Sequence, residues 1–133
     1  MVPTLSDRSF VVSLMAPVLK LANKNHVRGG IFIIKPNDFE SRLVKRLIAL
    51  PGEQIWIENG IVFVNDKNMT TELQLTLPKA ADALSCKYFS TYTVPDKHYF
   101  FVGDNLCMAS DSRNIGAIRE EDILGKVIFH FSL

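Results

Sequence analysis

The 133-residue chain lacks most of the marks by which a small domain announces its chemistry. It has two cysteines, Cys86 and Cys107, and neither a CxxC spacing nor an HExxH motif. No disulfide framework and no four-ligand zinc site can be built from so few ligands, and both cysteines read as small, partly buried residues. The seven glycines are dispersed, which excludes a dinucleotide or phosphate-loop fingerprint. His26, His98 and His130 are scattered, and nothing marks the nucleophile elbow of a Ser-His-Asp arrangement. An excess of one charge is also missing: 15 basic residues face 14 acidic ones, for a net charge of +1. Nucleic acid is therefore not an expected partner, because binding along phosphates depends on clustered Lys and Arg. The acidic run Glu120-Glu121-Asp122 reads as a solvated turn.

Long apolar runs are absent too. The longest, from Phe10 to Ala22, is interrupted by Pro17 and Lys20 and falls short of the roughly 20 residues that span a bilayer. Without a basic region before it or a small-residue cleavage site, it does not read as a secretory signal. Core strand, interfacial segment and partner surface remain as readings of it.

What is present favours β structure. With 47% hydrophobic and 22% charged residues, the chain is too apolar to stay disordered, and its length suits one core, hence one domain over residues 1–133. Ile31 to Lys35 is a β-branched and aromatic run set between Gly29-Gly30 and Pro36. Arg42 to Leu50 is read as a strand ended by Pro51-Gly52. Asn59-Gly60 between the β-rich runs 54–57 and 61–65 predicts a hairpin, since both residues tolerate positive φ. Residues 66–87 carry no clear period and read as a variable surface insert. Strands are expected over 88–94 and 98–102, then a long polar loop over 103–116, a helical turn over 120–124 and a last strand over 126–131. The sum is a mainly β barrel or sandwich of antiparallel sheets with little helix.

Two places can carry chemistry. In the strand reading, Leu43, Lys45 and Leu47 share one face. An ammonium group between leucines loses hydration, which lowers its pKa and yields a neutral amine able to act as a general base. The plainer reading is an edge-strand lysine that snorkels to water. The second place is the loop from Gly103 to Arg113, where Asp111 and Arg113 can form a charge-assisted contact and Gly103 permits close backbone approach.

Several segments, in order, resemble the type I signal peptidases, membrane-anchored serine endopeptidases of the Ser/Lys dyad class. MVPTL at 1–5 is similar to the segment that follows the nucleophile, and RGGIFII at 28–34 to the box RGDIVVF. VKRLIALPGE at 44–53 resembles the lysine box KRxIGLPGD, and VPDKHYFFVGDN at 94–105 with SDSRNIG at 110–116 resembles the final box GDNxxxSxDSRxxG. The resemblance implies a signal-peptidase-like β fold and removal of signal peptides after a small-x-small motif, with Lys45 as general base for a serine hydroxyl. It places Met1, Leu5 and Val44 along shallow pockets for small side chains. Arg42, Leu43 and Val44, running on to Lys45, become the strand edge to which an extended peptide adds. Asp104, Ser110, Asp111 and Arg113 become supports of the site. No cofactor and no metal are implied. The partners are signal peptides and a membrane surface, met through Phe10 to Ala22. The location implied is the extracytoplasmic side of the cytoplasmic membrane, with an anchor upstream of this chain.

Three positions depart from the family pattern. The nucleophile belongs immediately before Met1, the serine that hydrogen-bonds the base falls at Ala109 with Ser110 next to it, and Gly30 replaces an acid. They motivate an alternative expectation, a catalytically inactive homologue that binds signal peptides or a membrane partner without cleavage.

Overall fold

The computed structural model describes residues 9–15, 28–73, 75, 84–106 and 110–132. Among the described residues, ten strands form two antiparallel sheets. In chain order they are β1 (Ser9–Met15), β2 (Ile31–Ile34), β3 (Leu43–Ala49), β4 (Gln54–Glu58), β5 (Ile61–Val64), β6 (Lys67–Asn68), β7 (Phe89–Thr93), β8 (His98–Val102), β9 (Ile118–Arg119) and β10 (Ile123–Ser132). Among the described residues, helix is confined to α1 (Leu84–Lys87), α2 (Ser112–Ile115) and a 3-10 turn at Glu120–Asp122. The first sheet has the order β1-β10-β2-β3-β8-β9 and the second β6-β5-β4-β7. The expected mainly β, antiparallel architecture with little helix is what the chain adopts.

The apolar runs explain the layering. Ile48, Ala49, Phe100 and Val102 of the first sheet pack with Ile55, Ile57, Val62 and Val64 of the second. Leu47, Tyr99 and Phe101 instead join Phe32, Ile34, Ile118 and Ile123 in a second cluster. A strand alternates its side chains between faces, so β3 and β8 feed both clusters, and this is why they read as continuous apolar runs in sequence. The alternation fails once. Leu47 pairs with Phe101 and Ala49 with Phe100, leaving Ile48 as an extra residue. This β-bulge puts two successive side chains, Ile48 and Ala49, into one cluster.

The predicted hairpin is present between β4 and β5, with Glu58 opposite Ile61 and positive φ at Asn59 (52°) and Gly60 (78°), the pair that a type I′ turn demands. Other expectations need correction. Residues 66–87 are not wholly a surface insert: Lys67–Asn68 extends the second sheet, and Met69 and Leu75 are buried against its core. The expected helical turn over 120–124 ends at Asp122, because Ile123 already pairs with Ile34 as the start of β10. Cys86 is not a free buried thiol but is disulfide-bonded. The apolar segment from Phe10 forms an edge strand through Met15, and its remainder, 16–22, lies outside the described residues. No helix among the described residues is long and apolar enough to cross a membrane.

Candidate active site

Lys45 sits mid-strand in β3 opposite Phe32, and the next pair on that face is Leu43 with Ile34. The side chain thus stands in an apolar row, with 7% of its surface exposed. Burial pushes the Lys45 amine below the usual lysine range; Asp111 opposes this as a nearby negative charge, and Arg113 adds to it as a positive one. The balance follows from the pairing of those two. Arg113 holds the Asp111 carboxylate through Nε at 2.9 Å and NH2 at 2.7 Å, so much of the field that would favour an ammonium is already neutralised.

That ion pair is built by the local sequence. Asp111 is the N-cap of α2, its side chain accepting from the backbone of Arg113 while the Asn114 side chain reaches back to the Asp111 backbone. Gly103 N also donates to Asp111 Oδ2 at 3.1 Å, and Arg113 NH1 donates to the Leu106 carbonyl at 2.7 Å. One fully buried carboxylate thereby fixes both ends of the 103–113 loop. Ser112 Oγ accepts from Phe101 N at 2.9 Å and secures α2 against β8.

On the opposite face of β3, Arg46 makes a bidentate pair with Asp104, at 2.7 and 2.9 Å, and donates from NH1 to the Gly29 carbonyl at 2.6 Å. Asp104 is 1% exposed, so its charge is matched by a guanidinium fork rather than by water. The residues from the last motif therefore brace Lys45 from both sides of its strand.

β3 also has an open side. Its pairing with β8 begins at Arg46 opposite Val102, and the chain then turns away at Gly103 toward the Asp111 carboxylate. No described strand pairs with Leu43, Val44 and Lys45 on that side. Among the described residues, the backbone next to the buried amine is therefore an uncovered edge three residues long, which can accept an extended peptide by strand addition.

Arg42 precedes this edge and is exposed; Leu43 and Val44 are half-buried. Ser110 is exposed, and among the described residues it makes no hydrogen bond to Lys45. Met1, Leu5 and Ala109 lie outside the described residues. Sequence reasoning gave no role to Arg46, whose partner is 58 residues away, or to Arg28 and Glu53, which form a bidentate ion pair at 2.8 and 2.6 Å. The only available signal was that all three stand inside the quoted motifs. No group of described residues is arranged to hold a metal ion.

The profile of the family described as signal peptidase, peptidase S26, matches residues 1–132. The chain belongs to this family. It is 33% identical to signal peptidase I of Rickettsia typhi, over 77% of this chain and 50% of that protein. It is 32% identical to the probable signal peptidase I-2 of Synechocystis sp., over 78% of this chain and 47% of that protein. The chain thus spans about half the length of these curated relatives. A crystal structure of signal peptidase I from Enterococcus faecalis has the same fold, with a TM-score of 0.57 and 23% identity over 75% of this chain and 94% of that one. Within the peptidase S26 family, the buried lysine, the open strand edge and the capped acidic loop are this chain's candidate machinery.

Proposed function

We propose that the chain is the catalytic region of a type I signal peptidase, a serine endopeptidase that removes signal peptides after a small-x-small motif. In this reading the nucleophile is a serine immediately before Met1 in the longer protein. The neutral Lys45 amine takes the serine proton as the hydroxyl oxygen attacks the scissile carbonyl. The resulting ammonium then protonates the leaving amine, and Lys45 next takes a proton from the water that hydrolyses the acyl ester. The open edge at Leu43–Lys45 aligns the substrate backbone, with Arg42 at its start. Val44, Met1 and Leu5 contribute the shallow pockets. Asp104, Asp111 and Arg113 hold the loop that faces the base, and Ser110 is the hydroxyl nearest in sequence to the position that Ala109 leaves without one.

The observation that carries this reading is Lys45 itself, a buried lysine with a depressed pKa at an edge that no described strand covers. A buried, perturbed lysine beside an edge that a peptide can join supports a functional role. The disulfide at Cys86 supports an extracytoplasmic location, because disulfides persist in oxidising compartments. The apolar edge strand β1 supports contact with the membrane that carries the precursors, and the anchor belongs to the upstream part of the protein.

The test is cleavage of a signal-peptide-bearing precursor by the protein carrying its upstream residues. Replacing Lys45 by Ala is expected to slow cleavage at least about a hundredfold, the scale of a lost general base, without loss of the folding transition. Cleavage at the parental rate sinks the dyad reading. A parent that binds the signal peptide and leaves it intact points instead to the inactive homologue, and so does a residue other than serine before Met1.

A further inference from the structure

Three residues beyond Lys45, the Ile48 bulge breaks the β3–β8 ladder. The Ile48 carbonyl is not left to water: Arg28 NH1 donates to it at 2.9 Å. The same guanidinium is gripped by both oxygens of Glu53, and Glu53 Oε1 also accepts from Leu50 N at 2.5 Å. The Glu53 backbone is fixed in turn, its carbonyl accepting from Val94 N at 2.9 Å just past β7. Arg28 is thus held between the bulge and the second sheet, with side-chain exposures of 21% for Arg28 and 18% for Glu53.

The next residue completes the connection. Gly29 has φ +82°, and a Cβ there would come within 2.8 Å of a Leu73 methyl, so this close turn demands glycine. Gly29 N donates to the Leu47 carbonyl at 2.8 Å, and its own carbonyl accepts from Arg46. Arg46 adjoins Lys45 and holds Asp104. A continuous path of short polar contacts therefore runs Glu53, Arg28, Gly29, Arg46, Asp104.

A bulge bends its strand and re-aims the side chains beside it. We infer that the Arg28–Glu53 pair is a positioning device for the proposed reaction: by pinning the Ile48 bulge and the Gly29 carbonyl, it sets the direction in which Lys45 leaves β3. The inference rests on Lys45 being the base. It makes the seating of the second sheet, through Val94 and the turn at 50–53, a determinant of catalytic geometry.

The test is Glu53→Gln in the protein with its upstream residues, which keeps shape and one hydrogen bond while removing the charge. Rates are taken per folded molecule and compared with Glu53→Asp and with Lys67→Gln, a control in an exposed pair. A displacement of about 1 Å at a reacting group costs up to about a hundredfold. The kcat of Glu53→Gln is accordingly expected to fall about ten- to a hundredfold with KM within about twofold. The pH midpoint of cleavage should move, Glu53→Asp should recover part of the loss, and Lys67→Gln should match the parent. If Glu53→Gln merely melts earlier and its folded fraction retains the parental kcat and pH midpoint, the pair is structural and the inference is overturned. Lys45→Ala separates the two claims. Unimpaired cleavage by it removes the base and the inference with it, whereas an inactive Lys45→Ala beside a fully active Glu53→Gln removes the positioning inference alone.

Discussion

The two ends of β3 obey opposite rules. From Leu47 to Ala49 the strand is paired with β8, buried on both faces and split between two apolar clusters. From Leu43 to Lys45 its only described partner strand is β2, Leu43 and Val44 are half-buried, and the buried Lys45 amine loses hydration there. The far end is what packing alone favours. The near end keeps a lysine in an apolar row where packing alone favours a leucine or methionine, and no described strand covers the backbone beside it. The proposed function falls on the half of the strand that packing alone does not favour.

The sharpest way to break this contrast is to make the near end resemble the far one. Lys45→Met should cost about 10²–10⁴ in cleavage rate, while its denaturation midpoint at neutral pH stays equal to the parent's or rises. A clear loss of stability would mean that Lys45 is a packing residue like Leu47. The mirror experiment truncates the far end's partner. Phe100→Ala removes a fully buried ring between the sheets and should destabilise by about 3–5 kcal/mol in a denaturant titration. A loss below about 1 kcal/mol would show the far end to be no more rigid than the near one.

The smallest effect expected is electrostatic. Since burial and Arg113 lower the Lys45 pKa and Asp111 raises it, cleavage should rise with pH along a limb centred below the ordinary lysine value. Asp111→Asn should move that centre lower still; movement upward would contradict the assigned field. Stability carries the same sign. Between the lowered folded pKa and the unfolded value of 10.5, the unfolded chain binds more protons, so the parent gains stability as pH rises through that window. Lys45→Met lacks that gain.

Local signals were legible where neighbouring residues decide the structure. Asn59-Gly60 specified its turn, the alternation around Lys45 placed the amine among leucines, and Asp111 with Arg113 specified a charge-assisted contact within the loop. What stayed hidden depends on residues distant in the chain. Arg46 needed Asp104 to acquire a role, and the bulge at Ile48 arises from matching β3 to β8, which no period within β3 encodes. The burial of Met69 and Leu75 comes from packing into the core cluster with Val62 and Val64 rather than from a local pattern. Two cysteines in a sequence say little about bonding, because a disulfide forms only where the fold brings two thiols together.

The open edge at Leu43–Lys45 also sets a limit on what can stay there. Three residues of free backbone offer only a few hydrogen bonds, each worth about 0.5–1.5 kcal/mol net. Bringing a second chain to rest costs about 4–15 kcal/mol in lost translational and rotational freedom. On the proposed function, backbone pairing at this edge would orient an extended chain without retaining it. In the proposed reaction a guest that remains long enough to react would have to be held by side chains fitting the flanking surface as well, which would place selectivity in what it carries beside its backbone.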